Sequence, residues 1–444
     1  MPILVAIAGI LVLLFLVIRL KLQAFVALLS VSLLVGIAAG MPLRNILDSI
    51  KTGMGETLGF VAVVVGLGAM FGRMLEISGG IERLARGLLE KFGEANAQWA
   101  LALTGFIVSI PIFFDVGFII IVPLVHGLTR KTGRSLLYYG IPLIAGLAVT
   151  HSFVPPTPGP IAVAELLNAD LGWVILFGMC AGMPAMIIAG PVFAKYLAKR
   201  IQVDVPDYFE VESAALTAEK DLPSFAAVIG IIFVPLLLIL LNTVSSAVLE
   251  EGMLRNILAF AGHPFVALIV ATLLAFYLFG NRRGFSAEEV QSLATKALEP
   301  AGIIILVTGA GGVFKQVLVD SGVGKALGEI MAASPLPPIV LAFLAAAIIR
   351  IAQGSATVAM ITAAGIMSPI VTALNMQGAI LGSMVIAIAA GATIASHVND
   401  SGFWLVNRYF GLSEKDTLRS WTMVATLIGL VGFAVVFVLS LIIA

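Results

Sequence analysis

Two short polar segments interrupt apolar stretches of the chain, and each carries titratable side chains. The first is "THSFVPPTPGP" (150–160), with His151 beside four prolines, and the second is "SHVNDSGFW" (396–404), with His397 and Asp400. Imidazole groups titrate near neutral pH, and ionisable groups inside a bilayer mark pathways for ions or substrates. The chemistry that these residues support is therefore proton transfer and the binding of a polar or charged ligand.

Two further charged residues lie within apolar stretches. Asp115 follows "SIPIFF" and Arg350 precedes "IAQGSAT". Arg350 could hold a carboxylate through two parallel hydrogen bonds, or pair with Asp115 or Asp400 in an empty site. Asp115 could carry a proton or hold its turn as a cap or ion pair, and Asp400 could carry a proton or cap the next helix. Each histidine could carry a proton, donate to a ligand, or bond to the interrupted backbone.

Small polar residues and glycines near these charges complete the predicted site, since hydroxyls and amides bond ligand oxygens and glycine allows close backbone approach. The predicted substrate-binding residues are His151, Ser152, Thr157, Gly159, Arg350, Gly354, Ser355, Thr357, Asn399 and Ser401. The predicted proton-coupling residues are Asp115, His151, His397 and Asp400. Structural roles are expected for His126, His263 and Lys315. No metalloprotease or nucleotide-binding motif is present, and we expect no catalytic residue, no metal and no cofactor.

The composition indicates an all-α polytopic membrane protein. Of 444 residues, 60% are hydrophobic and only 11% are charged, with a mean hydropathy of +1.11. Soluble domains are about a quarter charged, and apolar runs of roughly 20 residues recur along this chain. The formal net charge of zero gives no reason to expect nucleic acid as a partner. The single cysteine, Cys180, excludes an intrachain disulfide and is expected to be a small buried apolar residue.

The distribution of basic residues suggests the topology. Two stretches, 100–128 and 337–370, have a polar or proline-containing centre and arms too short for two full crossings. If both are re-entrant hairpins, 19 of the 25 basic residues lie on one side of the membrane and four on the other. Cytoplasmic loops are enriched in Lys and Arg, so this arrangement makes the side with 19 the cytoplasmic one. We therefore expect both termini outside, a retained N-terminal span, and about ten spans, near 2–18, 22–41, 57–78, 136–149, 173–194, 224–241, 264–280, 300–319, 378–395 and 421–442.

The chain also repeats itself. "GLGAMFGRMLEISGG" (66–80) resembles "GAGGVFKQVLVDSGV" (309–323) at an offset of 243 residues, and "AVTHSF" matches "IASHVN", which places His151 opposite His397. By the charge argument the two hairpins open to opposite sides. Inverted repeats with paired discontinuous helices are typical of secondary transporters.

The prolines explain why a break occurs inside a span. Proline lacks an N–H and resists the helix interior, so 150–160 is predicted to separate two half-helices around a polar cavity. Asn399, Asp400, Ser401 and Gly402 favour turns and predict an equivalent break. We expect the hairpin tips, 113–117 and 353–357, to meet these breaks, where helix ends can attract an anion.

The segments "THSFVPPTPGP", "IRIAQGSATVA" and "SHVNDSGFW" together strongly resemble the gluconate permease family of bacterial sugar-acid:proton symporters, over nearly the whole chain. The resemblance implies a multi-pass inner-membrane symporter of the ion-transporter superfamily, with inverted repeats, two hairpins and an elevator-type movement. The family includes carriers of D-serine, idonate and fructuronate, which these motifs do not distinguish. The expected function is proton-coupled uptake of gluconate or a related small sugar acid, with D-serine as the main alternative.

The expected organisation has two parts. Residues 100–200 and 337–444 form a mobile transport domain, and 1–99 and 223–336 form a scaffold, with 201–222 as a cytoplasmic linker. The scaffold is expected to carry the interface of a homodimer. A small carboxylate, a proton and the lipid bilayer are the expected partners. A channel, an intramembrane enzyme and sodium coupling remain as alternatives.

Overall fold

A computed structural model describes residues 2–206, 222–322 and 336–443, and all regular structure in these ranges is helical. The helices, in chain order, are α1 (Pro2–Leu14), α2 (Ala24–Ala38), α3 (Leu43–Ile77), α4 (Gly80–Phe92), α5 (Ala97–Val108), α6 (Phe114–Thr132), α7 (Leu136–Phe153), α8 (Pro158–Leu167), α9 (Leu171–Ile187), α10 (Phe193–Ala198), α11 (Phe225–Val248), α12 (Met253–Ala261), α13 (Pro264–Ala275), α14 (Ala287–Asp320), α15 (Pro338–Gln353), α16 (Ala356–Ala373), α17 (Ala379–Thr393), α18 (Ser401–Phe410), α19 (Glu414–Thr417) and α20 (Met423–Ile443). Short π-helical turns join α9 to α10 and α19 to α20.

Helix length and composition confirm the prediction of an all-helical, multi-pass membrane protein. Within the described ranges, eight helical segments are long and apolar enough to cross a membrane. Three shorter apolar helices, α2, α15 and α17, lie among them. The number of ten spans, the re-entrant path of the hairpins and the outside position of the termini stay predictions.

Two helices are much longer than the expected spans at 57–78 and 300–319. α3 has 35 residues and α14 has 34, because each helix begins about four turns before its apolar part. A capping box starts α14, in which Ser286 and Glu289 satisfy each other's backbone N–H groups. The two helices pack along each other, and at Gly53 a Cβ atom would lie only 2.6 Å from the carbonyl oxygen of Gly312. Glycine is needed at this crossing because the two backbones touch.

The repeat detected in the sequence extends to the helices. α3 ends 243 residues before α14, and both ends of α8 lie 243 residues before those of α18. The pairs α5/α15, α6/α16 and α7/α17 agree to within three residues with this offset. At this offset His397 corresponds to Val154, so the expected pairing of His151 with His397 is wrong by three residues. His151 lies within α7, whereas His397 lies between α17 and α18.

Both repeats contain a helix–turn–helix pair followed by an interrupted helix. The tips of the pairs are residues 109–113 and 354–355, and the breaks of the interrupted helices are 154–157 and 394–400. The first tip therefore lies earlier than expected, and Asp115 belongs to the first turn of α6, where an acidic side chain is favourable. The first break is shorter than expected because proline fits the first turn of a helix, and Pro158 begins α8.

One expectation about the core is wrong. Cys180 is exposed on the protein surface and is not buried. It lies on α9, whose exposed residues include Leu176 and Met183. An apolar side chain on a membrane-spanning helix can face lipid at no cost, so apolar character does not predict burial inside the protein here.

Candidate functional site

A polar cavity of about 430 Å³ lies where the second tip, the second break and the end of α7 meet. Residues of both repeats line it, since Asp115 and His151 come from the first and Arg350 and Asp400 from the second. Ten of the predicted site residues face this cavity: Asp115, His151, Ser152, Arg350, Gly354, Ser355, Thr357, Asn399, Asp400 and Ser401.

An ion pair is the central feature of the cavity. Arg350, in the last turn of α15, donates from Nη2 to Oδ2 of Asp400 at 2.5 Å, and its side chain is only 4% exposed. The same carboxylate oxygen accepts a hydrogen bond from Ser396, whose hydroxyl accepts in turn from Nε1 of Trp421 at 2.6 Å. Asp400 occupies the N-cap position of α18 but makes no side-chain cap bond, because its carboxylate is turned to Arg350.

The guanidinium of Arg350 keeps unused donors. Its Nε and Nη1 atoms are buried and have no hydrogen-bond partner among the described residues. A buried unpaired donor costs about 1–3 kcal/mol, and more when it is charged. Either nitrogen could donate to an anionic ligand in this cavity, and a carboxylate bound by two parallel hydrogen bonds would pair one of them with Nη2.

Helix N-termini add positive potential at the same place. The first turns of α6, α16 and α18 all contribute lining residues, among them Phe114, Thr357 and Ser401. The N-terminal end of a helix carries about half a positive charge, with free N–H groups directed outward. Ser355 caps α16 by accepting from the N–H of Val358 at 3.4 Å, which leaves the other donors of that turn for a ligand.

Two titratable residues of the first repeat face the same ion pair. Asp115 and His151 both lie close enough to Asp400 for their charges to interact. Nδ1 of His151 is buried and has no partner in the described part of the chain, and its ring meets the edge of Phe113 at 6.1 Å. His151 could therefore exchange a proton or bond a ligand at Nδ1 without first breaking a hydrogen bond within the protein.

The second break is fastened to the second tip by side chains. His397 Nε2 and Asn399 Nδ2 each lie 3.0 Å from the carbonyl oxygen of Ile351. Gly354, at φ +90°, packs so closely on Asn399 that a Cβ atom would collide with its carbonyl oxygen. His397 does not line the cavity, since its ring nitrogen is directed to the end of α15.

The first break lies outside the cavity, so two of its residues that were expected to bind substrate are not among the lining residues. Thr157 is 3% exposed and donates its hydroxyl to the carbonyl oxygen of Val154 at 2.8 Å. Gly159 packs against the sulfur of Met360. The prolines allow this segment to fold on itself and pack away from the cavity, so neither residue is positioned to contact a ligand there.

Several residues of the cavity could not be picked out in the sequence. Gln353, Thr393, Ser396 and Trp421 line it, and Phe114 packs against Trp421 with ring centroids 5.1 Å apart. Ser396 begins the polar segment "SHVNDSGFW", but Trp421 begins a long apolar run that gives no local signal.

The two histidines expected to be structural have such roles. His126 bonds the carbonyl oxygen of Tyr409, which ties α6 to α18. His263 accepts from the N–H of Phe265 and so caps the start of α13. Neither imidazole lines the polar cavity.

A second group of charges, which the sequence did not predict, lies between the two predicted domains. Lys315 on α14 interacts electrostatically with Glu165 on α8 and with Glu56 on α3. The positive charge of Lys315 partly offsets the negative charges of the two glutamates, and none of the three residues lines the cavity. It fits the structural role expected for Lys315.

Comparison with known proteins agrees with a membrane carrier. The low-affinity gluconate transporter of Escherichia coli K12 is 43% identical over 97% of this chain and 96% of its own length, and the high-affinity gluconate transporter of the same organism is 40% identical over the full length of both. The inner membrane permease YgbN of that organism is 42% identical over 97% of this chain and 96% of its own length.

A solved structure shares the fold. The YdaH transporter of Alcanivorax borkumensis superposes with a TM-score of 0.65 over 94% of this chain and 97% of its own, at 17% sequence identity. The family profile described as GntP family permease matches residues 1–442. With its apolar helices and its interrupted repeats, the chain is therefore a multi-pass protein of the bacterial inner membrane and belongs to the GntP permease family.

Proposed function

We propose that the protein takes up gluconate or a related small sugar acid together with protons. The observation that carries this proposal is the buried guanidinium of Arg350, with two unpaired nitrogens beside a polar cavity. Relatives at about 40% identity over nearly the full length are gluconate transporters, which supports a sugar acid over other carboxylates.

The substrate carboxylate binds Arg350 in a bidentate manner. Each planar fork of a guanidinium consists of Nη2 with either Nε or Nη1. The substrate carboxylate therefore takes one of the two free nitrogens together with Nη2, which Asp400 holds in the empty site. The N-terminal ends of α16 and α18 place further partial positive charge around the anion. Charge-assisted bonds of this kind are roughly twice as strong as neutral ones, so they provide most of the affinity.

The hydroxyl groups of the sugar acid contact the polar wall of the cavity. Ser152, Thr357, Asn399 and Ser401 supply donors and acceptors on several sides. Trp421 and Phe114 provide a flat apolar face against the carbon chain. A wall that carries hydroxyl partners discriminates against acids that lack them, because its own groups would be left unpaired.

Charge balance in the cavity supports proton coupling. Two carboxyl groups, Asp115 and Asp400, share the cavity with one guanidinium. A bound substrate anion gives three carboxylates against one cation, which is costly beside the largely buried Arg350–Asp400 pair. Uptake of one proton with each substrate anion reduces this repulsion.

Asp400 is the proposed proton carrier. When the substrate carboxylate occupies Arg350, it competes with Asp400 for the same guanidinium. The released carboxyl group lies near Asp115 and the bound anion, and it gains stability by taking a proton. Asp115 acts through its charge on Asp400, and His151 is positioned to pass a proton or bond a substrate hydroxyl.

Movement of one domain past the other completes the transport cycle. We assign 100–200 and 337–444 to a mobile domain that moves as an elevator with two re-entrant hairpins, and 1–99 and 223–336 to the scaffold of a homodimer. The packing of α3 along α14, and of α5 on α7 and α15 on α17, is in keeping with this division. Cross-linking of cysteines at Glu165 and Lys315 in a Cys180→Ala protein should stop transport reversibly. Undiminished transport by the cross-linked protein would count against the movement.

The topology has its own test. An impermeant thiol reagent applied to intact cells should not label a cysteine at Ser213 or Ser286, since 203–222 and 284–296 are expected to be cytoplasmic. Residues 207–221, including Ser213, lie outside the described part of the chain, and Ser286 caps α14. Strong labelling of the Ser286→Cys protein from outside would contradict the hairpin arrangement.

Purified protein in proteoliposomes tests the function directly. Under an imposed proton gradient we expect concentrative uptake of labelled gluconate, with D-serine as the competing substrate in the panel. Uptake should collapse with a protonophore. Uptake driven by a sodium gradient alone would identify sodium, and not the proton, as the coupling ion. Counterflow of labelled substrate distinguishes a carrier from a channel, and recovery of chemically unchanged substrate argues against an enzyme.

A further inference from the structure

A second, strongly basic cavity lies at the start of α7 and the end of α10, and none of its lining residues lines the substrate site. It measures about 500 Å³, and its side chains include Arg134, Lys195 and Lys199 but no acidic residue. None of these three cations forms an ion pair with the described residues 2–206, 222–322 and 336–443. Within the part of the chain that the structure describes, the cavity is therefore a cluster of positive charge without an acidic partner.

The three cations are exposed to solvent, and two of them repel each other. Lys195 and Lys199 lie one helical turn apart on α10 and its continuation, where like charges repel each other. Arg134 is stacked over the ring of Tyr138, with its guanidinium carbon 4.6 Å from the centroid. This stacking leaves the guanidinium edge, with its N–H donors, available to the cavity.

The floor of the cavity is fixed by hydrogen bonds. Ser135 donates to the carbonyl oxygen of Ile201 at 3.0 Å and accepts from the N–H of Val203 at 3.2 Å. The N–H of Leu136 donates to the carbonyl oxygen of Val203 at 2.7 Å. The segment that follows α10 is thereby tied to the start of α7, so the backbone positions that carry the three cations are held close together.

The position of the cavity at the ends of candidate spans is the one expected for a site near the membrane surface. The cavity lies at the ends of two candidate spans, one that begins at Leu136 and one that ends at Ala198. On the second of these, Ile188, Val192 and Tyr196 are exposed and lead along the helix to the basic cluster. A ligand that fills the cavity with its charged group can lay an apolar chain on these side chains.

We propose that this cavity binds the phosphate group of an anionic phospholipid. The three cations match a phosphate in charge, and basic pockets between spans at a cytoplasmic surface are suited to such headgroups. The exposed apolar residues beside the cavity favour a lipid over free phosphate, which would gain nothing from them. The distribution of basic residues along the chain predicts that this cavity faces the cytoplasmic leaflet.

Binding of phosphatidylglycerol to the purified full-length protein in detergent tests the proposal, with phosphatidylcholine and inorganic phosphate as parallel ligands. We expect phosphatidylglycerol to bind far more tightly than either. The triple variant Arg134→Gln/Lys195→Gln/Lys199→Gln should bind it on the order of 100-fold more weakly, since each basic residue near a membrane surface contributes about fivefold. The variant Arg134→Lys/Lys195→Arg/Lys199→Arg keeps the charges and should retain binding.

A matched control removes three exposed cations elsewhere. The variant Arg282→Gln/Lys415→Gln/Arg419→Gln loses the same charge on the same expected side and should bind phosphatidylglycerol as the unaltered protein does. Equal binding by the first triple variant and the unaltered protein would overturn the site. Equal binding of phosphatidylcholine, or tight binding of inorganic phosphate without phosphatidylglycerol, would overturn the lipid as its ligand.

Discussion

The two breaks occupy equivalent places in the repeat but satisfy their backbones in opposite ways. In 154–157, Pro155 and Pro156 have no N–H to satisfy, and the N–H groups of Val154 and Thr157 bond to the carbonyl oxygens of Thr150 and Val154. The hydroxyl of Thr157 also stays within the break. This segment is complete in itself and can be buried among apolar residues.

The second break depends on its neighbours. In 394–400, the N–H of Ala395 bonds to Thr426, and the carbonyl oxygen of Val398 accepts from Trp404. His397 and Asn399 reach the end of α15. Because these partners come from other helices, movement of any one of them alters the geometry of the cavity.

The N-cap residues of α8 and α18 show this difference between the two breaks at a single equivalent position. Thr157 and Asp400 lie 243 residues apart, and both are N-cap residues without a side-chain cap bond. The threonine hydroxyl bonds locally, whereas the aspartate pairs with Arg350. The helix break is present in both halves, and most of the polar residues that line the cavity come from the second. Substitutions in the second break and tip should therefore affect binding, and those in the first should affect stability.

The largest effect is expected at Arg350. Replacing it with methionine removes the donors to the substrate carboxylate and should weaken binding by about 3 kcal/mol, or roughly 150-fold. Arg350→Lys keeps the charge but loses the planar fork, so its affinity for gluconate should lie between those of the unaltered protein and Arg350→Met. Equilibrium binding of labelled gluconate measures both. Lys315→Met removes a cation from the other charge cluster and should leave affinity unchanged, and an equal loss there would point to a general charge effect.

Loss of coupling should follow from Asp400→Asn. An amide cannot carry the proton, so concentrative uptake under a proton gradient should fall to the level reached with a protonophore. Counterflow exchange should persist, which also shows that the variant is folded. Asp115→Asn alters only a neighbouring charge and should keep concentrative uptake, although with a shifted pH dependence. If Asp115→Asn is uncoupled and Asp400→Asn is not, the proton carrier belongs to the first repeat.

An intermediate effect is expected at the contact between second tip and second break. Gly354→Ala forces a side chain onto φ +90° and places it against the backbone of Asn399. We expect about a tenfold loss of substrate affinity and a clearly lower melting temperature, as strained backbone alone costs about 1–3 kcal/mol. Gly284→Ala is the matched control, since Gly284 has φ +92° and open space around it. Equal effects of the two substitutions on affinity would mean that strain alone is responsible.

The sequence was sufficient to predict most of the apolar helices and the places where two of them are interrupted. Proline, glycine and aspartate act on the backbone where they stand, so the breaks near 155 and 397 followed from local chemistry. The pairing of Arg350 with Asp400 was one of several open possibilities, because it depends on how α15 meets α18. The role of Trp421 had no local signal, as its indole N–H is directed to Ser396 by tertiary packing.

The same limit explains why Thr157, which was predicted to bind substrate, lies outside the cavity. A polar residue in a proline-rich break has the composition of a binding loop, but burial and a local acceptor decide where its hydroxyl points. Likewise, apolar composition alone could not place Cys180, because lipid and protein core are equally suitable for it.

The smallest effect is expected for Thr157→Val. The substitution preserves shape and removes only the bond to the carbonyl oxygen of Val154, so it should cost about 1 kcal/mol and lower the melting temperature by no more than about 2–4 °C. Substrate affinity should not change, because the hydroxyl lies outside the cavity. Ser401→Ala deletes a hydroxyl that faces the cavity, and there we expect a loss of about tenfold in affinity with little change in melting temperature. Binding and thermal unfolding measured on both variants test the contrast between the breaks. If Thr157→Val weakens binding as much as Ser401→Ala does, the first break also contacts substrate in some state of the cycle, and the division of labour between the two halves fails.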